Sequence, residues 1–147
     1  MEAKLTLAVD QFFGSRPGTL LNNRAFALIE VGKLQEAVET LGIARQIKDG
    51  NYGESTRAAT EALLLFRSGK PEVGRRRYQD VVRIFERLNH LEDAARAALM
   101  LAREEALAAT GQEEVAWKRA NELIHRSSSP IVMDLHDRIA REQVSLN

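Results

Sequence analysis

Residues that could perform acid–base or metal chemistry are few in this chain. Histidine occurs three times, as His90, His125 and His136, and no pair has the i,i+4 spacing that places two imidazoles on one helix face. The absence of cysteine excludes disulfides, thiolate nucleophiles and cysteine metal sites. The run 134–137, Asp-Leu-His-Asp, is typical of a solvated helix face. We therefore predict that the protein is not an enzyme and holds no cofactor or metal.

One basic run, Arg75–Arg77, raises the alternative of nucleic-acid binding. Residues 67–87 hold seven basic and three acidic side chains, a surplus of four. Asp80 lies at i,i+4 from Arg76 and at i,i+3 from Arg83, which favours ordinary ion pairs on a helix surface. Nucleic acid is therefore an unlikely partner, although this basic face stays open as an alternative site.

The composition favours an all-α domain. The chain has 147 residues, formal net charge +0, 44% hydrophobic residues and only 5% aromatics, and it is rich in the helix formers Ala, Leu, Glu and Arg. No apolar run approaches the roughly 20 residues of a membrane span, and no basic leader precedes an apolar signal core. These features favour a cytoplasmic protein that does not bind membranes.

A glycine followed five residues later by a tiny residue occurs three times. The pairs are Gly32 with Ala37, Gly69 with Gly74, and Gly111 with Ala116. The first glycine suits a left-handed helix end, because it has no Cβ to clash there. The tiny residue suits a close crossing of two helices. The pattern predicts three helix–turn–helix units, with turns at the three glycines and a further break at Gly14.

The apolar spacing divides the chain into five segments of one domain. We predict an N-terminal helix over 1–13, helix pairs over 19–48, 55–88 and 89–126, and a C-terminal capping helix over 130–144. Predicted N-caps are Ser55, Asn89 and Ser129. The capping helix carries an apolar stripe of Ile131, Leu135 and Ile139 and a charged opposite face.

The glycines lie 37 and 42 residues apart, and this spacing, together with the paired helices, resembles the tetratricopeptide repeat. The small-then-bulky pairs Ala37–Leu41 and Gly74–Tyr78 fit the second helix of that repeat, whereas Ala116–Ala120 fits less well. Arg24, Glu61 and Arg103 stand where the family usually has apolar residues, and its closing proline is absent. The resemblance implies a right-handed α-α superhelix of about seven helices.

The resemblance also implies a concave groove, lined by the first helix of each pair, that binds a peptide or helix of a partner protein. Counting back from each glycine gives the predicted groove residues: Asn23, Phe26, Glu30, Thr60, Leu63, Arg67 and Glu105. Asn23 also lies in an Asn-Arg-Ala run similar to the carboxylate clamp of chaperone-binding members, but the later repeats lack the clamp's cations.

Three alternatives stay open for this groove. A neighbouring helix of the chain or a second subunit in a homo-oligomer could cover it. The chain could also be a regulatory or sensor domain excised from a larger bacterial signalling protein, in which the groove receives a signalling segment.

Overall fold

The computed structural model describes residues 17–146 as seven α-helices, and this part of the chain contains no β-strand. The helices are α1 (Pro17–Glu30), α2 (Leu34–Ala44), α3 (Gly50–Arg67), α4 (Pro71–Arg87), α5 (Leu91–Leu107), α6 (Glu113–Ser127) and α7 (Pro130–Leu146). The all-α prediction is confirmed. The predicted helix at 1–13 and the break at Gly14 lie outside the described residues.

Four of the helix ends share one hydrogen-bonded turn. A residue with positive φ follows α1, α3, α4 and α5, namely Gly32, Gly69, Asn89 and Ala109. In each turn the next amide donates to the carbonyl five residues back, over N···O distances of 2.8–3.2 Å. This is the Schellman arrangement, which satisfies carbonyls that the helix end would otherwise leave unpaired. Two of the four turns therefore use a residue other than glycine.

The third predicted turn is displaced by two residues. Gly111 has a positive φ, but the residue that ends α5 in the Schellman turn is Ala109, and Gly111 belongs to a short extension before α6. Asn89 is likewise the end of α4 and not the N-cap of α5, which is His90. Both errors have one cause, because alanine and asparagine adopt the left-handed conformation that the sequence pattern assigned to glycine alone.

The tiny residues lie where helices cross. A Cβ built on Gly74 of α4 would meet the Phe66 ring at 2.7 Å and the Ala62 carbonyl oxygen at 3.0 Å, both on α3. Ala37 and Ala116 are buried at the equivalent places in α2 and α6. These residues let the two helices of each pair approach closely.

From α1 to α6 each helix packs against its successor, and alternate helices from α1 to α7 along the odd-numbered row also pack against one another. The pairs α1–α2, α3–α4 and α5–α6 are in contact, and α1–α3, α3–α5 and α5–α7 also pack together. Two apolar clusters fill the interior, one spanning α1 to α6 and the other α3 to α7. The row α1, α3, α5 is the framework of the candidate site.

The start of α3 differs from the predicted one. The helix begins at Gly50 with Asp49 at the N-cap, so Ser55 lies buried inside it and caps nothing. In contrast, Ser129 Oγ accepts a hydrogen bond from the Val132 amide at 3.4 Å, which agrees with its predicted capping role.

The capping helix α7 packs against α5, and its side chains join the same apolar cluster as Ile124. Its buried stripe runs through Val132 and Ile139, with Leu135 half-buried beside it. Ile131 is 64% exposed, so its predicted place in the stripe is wrong; the adjacent Val132 is the buried residue there.

Candidate binding groove

A cavity of about 220 Å³ lies along the row of α1, α3 and α5. We call it the groove. Helix α1 supplies Asn22, Asn23 and Phe26 to its wall. The other lining residues are Tyr52, Thr56, Ala59 and Thr60 of α3, Tyr78 and Phe85 of α4, and Asp93, Arg96, Ala97 and Met100 of α5. The lining thus combines aromatic rings and small apolar residues with a few polar side chains, the usual make-up of a binding site.

The Schellman turns set the register of these side chains. Asn23, Thr60 and Met100 line the groove, and each stands nine residues before a left-handed residue (23 to 32, 60 to 69, 100 to 109). Counting from Gly111 instead of Ala109 moves every assignment on α5 by two residues. Arg96 and Met100, which the sequence-based register missed, would have been found from Ala109.

Asn22 is a polar residue of the groove wall that is 7% exposed. Its Oδ1 atom is buried and accepts no hydrogen bond from the described residues. A buried acceptor without a donor costs roughly 1–3 kcal/mol. Asn22 therefore carries an unsatisfied acceptor that is buried within the helix row.

Three hydroxyl groups of the wall, those of Tyr52, Thr56 and Thr60, donate to other protein atoms. Thr56 Oγ1 donates to the Tyr52 carbonyl oxygen at 2.8 Å, and Thr60 Oγ1 donates to the Thr56 carbonyl oxygen at 3.4 Å. Tyr52 Oη donates to Asp93 Oδ1 at 3.2 Å, and burial together with this carboxylate raises the pKa of the Tyr52 phenol. All three hydroxyl protons are thus committed.

An ion-pair network joins the same three helices toward their C-terminal ends. Glu104 of α5 is 1% exposed and accepts two hydrogen bonds from Arg67 of α3, at 2.6 and 3.1 Å, and one from Arg103 at 3.1 Å. Arg103 also donates to Glu30 of α1, and Arg67 lies 3.6 Å from the same carboxylate. The hydrogen bond to Glu104 raises the pKa of the Arg67 guanidinium. Two arginines and two glutamates leave the network neutral.

The structure brings together only part of the predicted groove set. Asn23, Phe26 and Thr60 line the groove, while Glu30 and Arg67 belong to the adjacent ion-pair network. Leu63 is 1% exposed in the apolar core, because α3 lies between α1 and α5.

Glu105 lies elsewhere. It lines a second cavity, of about 420 Å³, between α4, α5 and α6. There it accepts two hydrogen bonds from Arg75, at 2.5 and 2.9 Å, and one from Thr110 Oγ1 at 2.9 Å. This placement follows from the two-residue displacement of the turn, which puts Glu105 on a different face of α5 from Arg96 and Met100.

Two arginines of the basic run Arg75–Arg77 form ion pairs with buried carboxylates. Arg75 pairs with Glu105, and Arg77 donates to Glu61 of α3, which Arg45 also approaches at 3.1 Å. Glu61 is 7% exposed. The run therefore ties α4 to α3 and α5, and only Arg76 of the three is both exposed and outside these buried pairs.

Residues 17–146 contain no cluster of three or more metal-ligating side chains. None of the helices described here is long and apolar enough to cross a membrane. Comparison with protein-family models, with curated proteins and with solved structures finds no match to this chain.

Proposed function

We propose that this chain is a protein-interaction module whose groove, lined by α1, α3 and α5, binds a peptide segment of a partner protein. The observation that carries this proposal is the groove itself, which is lined by aromatic and small apolar side chains with several polar side chains among them. An apolar anchor with nearby polar groups that fix its orientation is the usual basis of peptide recognition.

We further propose that the helices form a tetratricopeptide-like right-handed stack. Three features support it: paired helices joined by short Schellman turns, tiny residues at the crossings within pairs, and contact between alternate helices. Such stacks present the first helices of their repeats as one continuous concave surface. A groove along α1, α3 and α5 has the position that this arrangement requires.

A random peptide library displayed on phage, selected against the full chain, tests the function. Fluorescence anisotropy then measures binding of a selected peptide to variants. Thr56→Arg places a long charged side chain in the groove, and Phe26→Glu places a charge among its apolar lining residues, so each should weaken binding at least about tenfold. Circular dichroism checks that both variants remain folded.

Arg76→Glu is the matched control, because Arg76 is exposed on α4 and outside the groove. Reversal of all three arginines would be a poor control, since it would unpair the buried Glu61 and Glu105. Unchanged binding by both groove variants, with loss in Arg76→Glu, would refute the groove and favour the basic face.

A further inference from the structure

We propose that the second cavity, between α4, α5 and α6, binds a small organic anion with an apolar body. This site goes beyond the proposed function, because the cavity shares no lining residue with the groove. Its volume of about 420 Å³ falls within the roughly 300–1,000 Å³ of small-molecule sites. We call it the arginine cavity, and its lining residues are Arg75, Gln79, Val82, Arg83, Ala98, Leu101, Glu105, Gln112, Val115, Ala116 and Arg119.

One side of the arginine cavity is apolar and fixed by the packing of three helices. Val82 of α4, Ala98 and Leu101 of α5, and Ala116 of α6 are all 7% exposed or less and belong to the apolar clusters. Val115 of α6 is exposed and adds an apolar group to the lining. An apolar body placed against these side chains would be removed from water, which favours binding.

The charged side chains of the lining are three arginines and one glutamate. Glu105 is buried, and both of its carboxylate oxygens accept hydrogen bonds from Arg75. One of these oxygens also accepts from the Thr110 hydroxyl, so the pair of Glu105 and Arg75 adds no net charge. Arg83 and Arg119 remain as a surplus of two cations in the lining.

The carboxylates that pair with these two arginines lie outside the lining. Arg83 pairs with Asp80, and both side chains are more than 60% exposed. Arg119 donates to Glu86 and lies 3.6 Å from Glu122. Water and salt screen such exposed pairs, so they compete weakly with a ligand. Each guanidinium also has five N–H donors and can bind an anion while it keeps its present partner.

The neutral polar groups of the lining do not change this preference. Gln79 and Gln112 are exposed, and a carboxamide can either donate to a ligand or accept from it. An ammonium group would meet two arginines of like charge, and the carboxylate of Glu105 is already fully paired. An uncharged molecule would gain burial but no charge-assisted hydrogen bond. An anionic head on an apolar body therefore fits the cavity best.

Titration of the full chain with octanoate, octanol and octylammonium tests the proposal, because the three probes share one alkyl chain and differ in charge. Isothermal titration calorimetry at neutral pH measures each affinity. We expect octanoate to bind at least about tenfold more tightly than octanol, the effect of one hydrogen bond to a charged group. Octylammonium should bind more weakly than octanol.

The double variant Arg83→Gln/Arg119→Gln should lose the preference for octanoate and keep its affinity for octanol within about twofold. It should remain folded, because Asp80 is exposed and Glu86 keeps its hydrogen bond from Arg126 at 2.8 Å. Circular dichroism checks this.

The matched control is Arg76→Gln/Arg87→Gln. It changes the net charge equally through two exposed arginines of α4 that do not line the arginine cavity. This control should keep the preference for octanoate. An equal loss of preference in both double variants would show an effect of net charge alone and would overturn the site.

Chemical-shift mapping with octanoate on the isotope-labelled chain locates the binding site. The largest shifts should fall on the amides of Val82, Ala98, Leu101 and Ala116, while those of α1 stay unchanged. Three other results would overturn the proposal: no binding of octanoate, equal affinity for octanol, or shifts outside the arginine cavity. If octanoate does not bind but a single-stranded oligonucleotide does, and Arg83→Gln/Arg119→Gln weakens it, these arginines contact nucleic acid instead. Each of these outcomes leaves the groove and its peptide untouched.

Discussion

Substitution of Arg75 by methionine should destabilise the protein strongly, because it unpairs a buried carboxylate. The guanidinium makes two hydrogen bonds, at 2.5 and 2.9 Å, to Glu105, whose side chain is 1% exposed. Removal of Arg75 leaves that carboxylate buried with only the Thr110 hydroxyl at 2.9 Å. Unpairing a buried charge costs about 3–5 kcal/mol, and the remaining hydroxyl bond places our expectation near the lower end, about 3 kcal/mol.

Urea denaturation followed by far-ultraviolet circular dichroism measures this loss in the free energy of unfolding. The double variant Arg75→Met/Glu105→Met should regain most of it and lie within about 1 kcal/mol of the native protein, because apolar residues can replace a buried ion pair at little cost. The control is Arg83→Met on the same helix. Arg83 pairs with Asp80 where both side chains are more than 60% exposed, so its loss should be at most about 0.5 kcal/mol.

Two results would refute this reasoning. One is a loss below about 1 kcal/mol for Arg75→Met. The other is a double variant no more stable than the single one, because the cost would then arise from lost packing of the arginine side chain and not from an unpaired carboxylate.

Three further predictions test the fold by thermal or urea denaturation. Gly74→Ala should destabilise by about 1–3 kcal/mol through its clash with α3, whereas Gly42→Ala, in open space on α2, should stabilise by about 0.5–1 kcal/mol. If both substitutions change the free energy of unfolding in the same direction, the close crossing of α3 and α4 at Gly74 is contradicted. Ala109→Gly should raise the melting temperature, because it relieves a left-handed alanine at φ 51°; a lower melting temperature would count against that turn. Ile139→Ala removes a buried side chain and should lower the free energy of unfolding by about 2–5 kcal/mol. Ile131 is exposed, so Ile131→Ala should change it by at most about 0.5 kcal/mol. Equal losses would contradict the orientation of α7.

The sequence was sufficient to predict the helices but not the register of the third turn. Helix formers and periodic apolar residues predicted the all-α class, and Gly32 and Gly69 predicted two turns correctly. Ala109 and Asn89 are not distinctive as left-handed residues, since their conformation depends on the hydrogen bonds of the folded helix end. Gly111, two residues further on, was the more obvious but incorrect marker.

The candidate site was predictable where it depends on α1 and α3 and not where it depends on α5. Asn23, Phe26 and Thr60 line the cavity, as the register counted from Gly32 and Gly69 predicts. Arg96 and Met100 were missed through the displaced turn. The pairing of Glu105 with Arg75 could not be read from the sequence, because the two residues meet only when α4 packs on α5.

The measurement that tests the central claim most directly is a chemical-shift map of a phage-selected peptide on the isotope-labelled full chain. If the groove binds the peptide, the largest shifts should fall on the amides of Asn23, Thr60 and Met100 and their neighbours on α1, α3 and α5. Residues around Arg76 and Arg83 on α4 should shift little. Shifts concentrated on α4 and α6, with the amides of α1 unchanged, would contradict the claim that the groove is the binding site.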